Sequence, residues 1–233
     1  MKSIAVMQPY FFPYLGYFQL IQATDKFIFY NDVQFIKRGW IHRNRILINN
    51  KSKYLTIPCK KASQNKLISE IEHALDKKTK RKLRAQVEFA YKKAPFFENV
   101  FPIIEDVMNY ETKYISELGI YSILKVCSYL DLKINYHVSG GRYQNEHLEK
   151  ALRLIDITKK EKADVYVNSI GGKELYTKAN FAKEDIQLDF LNPQKVEYEQ
   201  FKSDFIPWLS IIDVLMFNSV SETRKLLTKY VLE

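Results

Sequence analysis

Between Asp32 and Arg45 the chain sets Lys37, Arg38, Trp40, His42, Arg43, Asn44 and Arg45 almost side by side. Arginine presents a planar fork that matches a phosphate or a carboxylate. Trp40 among those cations makes a surface on which a nucleobase can stack. A solvated basic loop is the plainer reading of the same residues. His42 titrates near neutrality and is a candidate general base, although a histidine in a basic loop can equally be merely exposed.

Three further segments, 8–17, 139–142 and 168–176, combine Gly or Pro with hydroxyl, amide or basic groups. Glycine lets backbone N–H groups approach an anion closely. The candidates here are Gln8, Tyr14, Gly16 and Tyr17 in the first segment and Ser169, Gly171, Gly172 and Tyr176 in the third. His137 stands just before the second, at the end of a predicted strand. Asp213 is an acid inside the apolar run from Leu209 to Phe217. A carboxylate on such a face needs a partner. That partner is expected either in the N-terminal loop, at Tyr14 or a backbone N–H, or in an active-site His137 or arginine.

Several chemistries have no sequence support. The chain has no G-x-x-x-x-G-K-[ST], no G-x-G-x-x-G, no C-x-x-C, no H-E-x-x-H and no G-x-S-x-G. No metal is expected. Cys59 and Cys127 make no disulfide framework, so a reducing, cytoplasmic setting is expected.

These groups must be positioned by elements that the pattern predicts. Ile4–Met7 reads as a strand stopped by Pro9, Tyr17–Ala23 as a helix and Phe27–Tyr30 as a second strand, together a βαβ unit. From Asn31 no period is sustained until Ile46-Leu47-Ile48, and Lys53–Ile57 is a further strand. Helices are expected through 76–130, with one boundary near 117. Strands return at 134–138, 164–167 and 186–191, with a helix over 148–161 between the first two. The C-terminal helices run over about 207–232, the second opened by a capping box at Ser219 and Glu222. The expected fold is one Rossmann-like, three-layer α/β domain over 1–233, with a mostly parallel central sheet and a helical insertion near 76–130. In such sheets, ligands sit beyond the C-terminal ends of the strands, where all three Gly/Pro segments should gather.

At 233 residues, 46% hydrophobic and 27% charged, the chain has the composition of a folded domain, which excludes disorder and low complexity. No apolar run approaches the ~18 residues of a membrane span, and Met1–Met7 is too short for a secretion signal. The net charge of +9 points to anionic partners. Much of it is crowded into Lys77, Lys78, Lys80, Arg81, Lys82 and Arg84, which also reads as a solvated helix face.

The run Gln8-Pro9-Tyr10-Phe11-Phe12-Pro13-Tyr14-Leu15-Gly16-Tyr17-Phe18 resembles the WbqC-like protein family. So do Asp32-Val33-Gln34-Phe35, Lys37-Arg38, Trp40 and Arg43-Asn44-Arg45, followed by Ser169–Tyr176 and Leu209–Asp213. Proteins of that family belong to bacterial O-antigen and capsule clusters. The resemblance implies transfer of a glycyl or other acyl group to the amine of a nucleotide-linked amino sugar. The opening unit also resembles nucleotidylyltransferase-type folds, with Tyr14-Leu15-Gly16-Tyr17 where those carry His-x-Gly-His. Tyrosine keeps a donor there and loses the charge that holds ATP phosphates.

On that reading His137 or Asp32 serves as base, and Gln8 with the N–H groups of Ser169–Gly172 holds the oxyanion. Lys37, Arg43 and Arg45 bind a diphosphate. The acyl donor is open among a coenzyme A thioester, an acyl carrier, an aminoacyl-tRNA and an ATP-activated acid. Two other readings stand beside the enzyme: a tRNA- or other nucleic-acid-binding accessory protein, and a non-catalytic scaffold of polysaccharide assembly. An enzyme gathers its polar aromatics in one pocket, a nucleic-acid binder spreads cations over an open face, and a scaffold exposes an apolar patch.

Overall fold

The computed structural model describes residues 1–201 and 204–233. Ile4, Ala5 and Val6 are apolar without alternation, as a strand covered on both faces requires, and they lie within β1 (Ser3–Met7). The chain turns through Phe12, whose φ of 40° is left-handed. That conformation is held from three sides. The Phe12 N–H donates to Ser122, and its carbonyl accepts from Asn44 and Ser210. α1 (Leu15–Gln22) follows, and β2 (Lys26–Phe29) returns parallel to β1.

β3 (Arg43–Ile48) and β4 (Lys51–Thr56) then form an antiparallel hairpin. Its two turn residues, Asn49 and Asn50, have φ of 50° and 56°, the geometry of a type I′ turn. β5 (Cys59–Lys60) and β6 (Glu72–His73) make a second small ladder. Three helices follow: α2 (Lys77–Tyr91), α3 (Phe97–Asn109) and α4 (Ile115–Tyr129). β7 (Tyr136–Val138), α5 (Lys150–Lys160), β8 (Val165–Ser169), α6 (Lys178–Ala182) and β9 (Gln187–Pro193) resume the α/β alternation. α7 (Ile211–Phe217) and α8 (Val220–Leu227) lead to β10 (Tyr230–Leu232).

Among the described residues the central sheet has six strands, in the order β10-β9-β8-β1-β2-β7, with β10 antiparallel and the others parallel. Alternate residues face opposite layers. Ala5, Phe27, Phe29 and Val167 join the core under α1, α4 and α7, while Ile4, Val6, Ile28, Tyr166 and Phe190 join the core under α5 and α6. The fold is mixed α/β and Rossmann-like. Strand order reverses between β1 and β8, and that is where such sheets open a crevice. Their ladder pairs only Ser3 with Val165 and Ile4 with Tyr166. Both strands continue to Met7 and Ser169 without further pairing to each other among the described residues, so they part toward their C-terminal ends.

Three expectations about elements are corrected. Tyr230–Leu232 is a strand on the sheet edge, not the end of a helix. The second and third inserted helices break at 110–114 rather than near 117. Arg43, Asn44 and Arg45 belong to β3, because Asn44 and Ile46 point inward from a regular strand and the arginines alternate to the other side.

Candidate functional site

The parting of β1 and β8 puts Gln8 and the turn from Ser169 to Gly172 at the same C-terminal edge of the sheet. Their backbone groups are partly committed. The Gln8 carbonyl accepts from the Tyr17 hydroxyl at 2.9 Å, and the Ser169 N–H donates to the Asn168 side chain at 2.8 Å. A Cβ on Gly172 would lie 2.3 Å from the Asn168 amide nitrogen, whereas Gly171 faces open space. Tyr176 is half-buried and packs edge-on against Phe181. Tyr17 is a core residue, its ring 5.3 Å from Phe27. Burial lifts its phenol well above the ordinary range.

Two residues expected to face this crevice are engaged elsewhere. His137 lies inside β7, and its Nδ1 is 2.7 Å from the Glu161 carboxylate. Glu161 follows α5 at the opposite, N-terminal edge of the sheet, where it also meets Lys26 at 2.9 Å and the Tyr143 hydroxyl at 2.7 Å. Burial pushes the Glu161 carboxyl up, but hydrogen bonds from Lys26, Tyr143 and His137 outweigh it and hold the group at about 2. His137 therefore serves an ion-pair cluster away from the crevice. Asp32 is buried and accepts from the Arg153 guanidinium at 2.7 Å and from the Ser139 hydroxyl. Arg153 also donates to the Asp32 carbonyl and to Asn145. All of these contacts fix the segment after β2 onto α5.

Tyr14 and Gly16 lie at a different place. A cavity of about 540 Å³ opens beside the start of α1, beyond the end of β9. Its walls include Tyr14, Tyr198, Phe205 and Trp208. Tyr14 and Trp208 meet with ring centroids 6.2 Å apart. Gly16 makes this possible, since a Cβ there would sit 2.4 Å from the Tyr14 ring. Trp208 is 57% exposed and holds a φ of 61°. A large side chain in that backbone region is strained, and strain of this kind concentrates at binding sites. The Arg45 guanidinium donates to the Trp208 carbonyl at 2.8 Å and lies 5.5 Å from the Trp40 ring. Arg43 stands 4.1 Å over the Tyr54 ring, and Trp40 and Tyr54 are 6.4 Å apart.

The remaining residues of the basic segment divide by role. Lys37 and Arg38 are exposed, and the Arg38 carbonyl accepts from Arg43. Asn44 is buried and donates to the Phe11 and Phe12 carbonyls, which is structural. His42 packs its ring against Phe35, its Nδ1 buried without a hydrogen-bond partner. Burial, then the neighbouring Arg43, lowers its pKa, so it is neutral at physiological pH.

Asp213 has its partners, and they are not those expected. Its carboxylate accepts from Tyr91 at 2.8 Å, Tyr198 at 2.7 Å and Gln200 at 2.6 Å. Burial raises the group to about 6 against the pull of those donors. Asp213 thus ties α7 to α2 and to the Tyr198 wall of the cavity, rather than to Tyr14 or His137. Ser210, three residues earlier, holds the Phe12 carbonyl.

Sequence reasoning missed Trp208, Tyr198 and Gln19. Gln19 lines the cavity from the buried run 15–21 of α1 and donates to the Leu226 and Lys229 carbonyls. An amide set within the largely apolar run from Leu15 to Ile21 was its available signal. Trp208 had one too: a large aromatic between Pro207 and the final apolar run. Among the described residues no group of three or more His, Cys, Asp or Glu side chains is assembled for a metal ion. The chemistry on offer in the cavity is stacking by Tyr14, Tyr198 and Trp208, amide hydrogen bonding by Gln194, and the exposed ion pair of Lys195 and Glu197.

A model of the WbqC-like protein family matches residues 8–225. The chain is 27% identical over 233 residues to an uncharacterized protein, Rv1507c, of Mycobacterium tuberculosis, covering 95% of this chain and 96% of that one. No solved structure matches.

Proposed function

The chain belongs to the WbqC-like protein family, and on that premise we propose that it is an enzyme of bacterial surface-polysaccharide biosynthesis. It transfers an acyl or aminoacyl group to the amine of a nucleotide-linked amino sugar. The observation that carries this reading is the aromatic cavity of about 540 Å³ beside the start of α1, with Gln194, Lys195 and Glu197 on its wall. That volume is in the usual range for a small-molecule site. Tyr14 and Trp208 offer flat faces to a base or a sugar, and Lys195 on the wall offers its charge to a diphosphate.

The amine nitrogen attacks the carbonyl carbon of an activated acyl donor, so an N–C bond forms and the donor's C–S or C–O bond breaks. The amine proton passes to Glu197, the carboxylate on the cavity wall, and leaves with the donor's thiol or hydroxyl. Glu197 meets Lys195 at 2.7 Å, an ion pair too exposed to hold either partner firmly. Lys195 is therefore free to exchange onto phosphate. The Gln194 amide on the same wall is a donor for the carbonyl oxygen as charge develops there.

A thermal-shift screen of sugar nucleotides tests the reading, with and without Lys195→Ala and Trp208→Ala. An amino-sugar nucleotide should raise the melting temperature of the parent. Each variant should lower its affinity about tenfold, as expected for loss of a charge-assisted contact or a stacked ring. No stabilisation by any sugar nucleotide would end the proposal.

A further inference from the structure

We propose that the face of the β3–β4 hairpin carrying Tyr54, Arg43 and Arg45, with Trp40 packed beside it, binds single-stranded nucleic acid, with bases stacked on the rings and phosphates on the cations. Trp40 is 37% exposed and Tyr54 46%. Aromatic side chains of this size ordinarily bury their rings. Here each instead has a guanidinium against it, Arg43 on Tyr54 and Arg45 on Trp40. That contact fixes the rings in place while leaving them open to solvent, so a base stacking on them meets a preorganised platform.

Charge complementarity selects the occupant. Among the described residues neither Arg43 nor Arg45 has a carboxylate within ion-pairing distance. The same holds for the exposed Lys37, Arg38, Lys51 and Lys53 around them. α2 packs against the hairpin, where Gln86 donates to the Tyr54 carbonyl at 3.0 Å. Its first two turns bring Lys77, Lys78, Lys80, Arg81 and Lys82, likewise without ion pairs among the described residues. Unpaired cations spread over this length match a chain of phosphates better than one diphosphate. Open ring faces select unpaired bases, since a duplex keeps its base faces stacked inside. An anionic membrane would meet the same charge. Insertion, however, needs apolar side chains protruding beyond the cations, and here guanidinium groups lie against the rings.

The inference stands apart from acyl transfer, because its test contains neither sugar nor acyl donor. Fluorescence anisotropy would follow a labelled oligoadenylate RNA of about 12 nucleotides, long enough for one typical single-strand site, against a duplex of equal length. Trp40→Ala and Tyr54→Ala should each weaken single-strand binding about tenfold, in the range of one lost base stack, with unchanged melting temperature. Tyr110→Ala is the control, since that exposed ring stacks on Tyr121 away from the hairpin; it should bind like the parent. Arg43→Met should weaken binding and lower its salt dependence. Equal affinity for duplex, indifference to both ring variants, or absence of oligonucleotide binding would each overturn the proposal. So would sedimentation with phosphatidylserine vesicles in place of RNA binding.

Discussion

Asp213 shows what one buried carboxylate does to pH dependence. Its folded pKa of about 6 lies above the unfolded value of 3.8. The stabilisation from its protonation is therefore fully present below pH 3.8 and is lost as pH rises through about 6. Asp213→Asn removes this titration and keeps the volume. The parent should gain stability relative to the variant as pH falls from about 7 to about 4, by on the order of 3 kcal/mol. Urea melts at several pH values read it, and a constant difference would mean that the carboxyl does not titrate in that range. Gly16 makes the opposite kind of case, where stability should barely move. In Gly16→Ala the new methyl displaces the mobile end of the Tyr14 ring, while the better helix former returns up to ~1 kcal/mol. The melting temperature should change little. The emission of Trp208, isolated in a Trp40→Phe background, should shift as Tyr14 leaves it; an unchanged spectrum would show that the ring was not displaced.

At the scale of elements, Glu161 anchors the C-terminal end of α5 to β2 and β7 through Lys26 and His137. Its folded pKa of about 2 lies below the ordinary 4.5. The stability it supplies is thus present above pH 4.5 and lost as pH falls through about 2. Glu161→Gln should cost ~2 kcal/mol at pH 7, where charge-assisted hydrogen bonds are lost. The two proteins should then converge in acid unfolding, and a gap that persists at pH 2 would refute this. Elements like these were unequally legible. Buried parallel strands such as Phe27-Ile28-Phe29 announce themselves as apolar runs. Tyr230-Val231-Leu232 is too short to carry a period, and only its ladder with β9 makes it a strand. In β3 the arginines hid a regular alternation whose inward half is Asn44 and Ile46. The need for a partner at Asp213 was readable from its apolar surroundings. The identity of Tyr91, 122 positions away, depends on how α2 packs against β3. The cavity was half legible: Tyr14 and Gly16 lie in a dense motif, whereas Tyr198 and Trp208 themselves lie outside the helices and strands.

Over the whole molecule the question is where the excess charge lies relative to the two surfaces proposed to bind ligands. The net charge is +9, yet the cavity wall carries Lys195 and Glu197 as a compensating pair. The unpaired cations lie instead along the hairpin and the first turns of α2. A ligand's salt dependence counts the phosphates that displace counterions, at about −0.7 in log K against log salt for each one on a single strand. A sugar nucleotide seated in the cavity carries two phosphates and no condensed counterion atmosphere, so its slope should be shallow, set by ordinary screening. An oligonucleotide laid along the hairpin and α2 should engage four or five, for a slope near about −3. Titrations of both ligands between about 50 and about 200 mM salt separate the two surfaces, because at this range the Debye length keeps remote charges from contributing. Charge reversal in α2, as Lys78→Glu with Lys82→Glu, should flatten the oligonucleotide slope by about one to two and leave the sugar-nucleotide slope as it was. Equal slopes for the two ligands, or equal sensitivity to the α2 variant, would mean that both occupy one site, and the separation of cavity from ribbon would then be wrong.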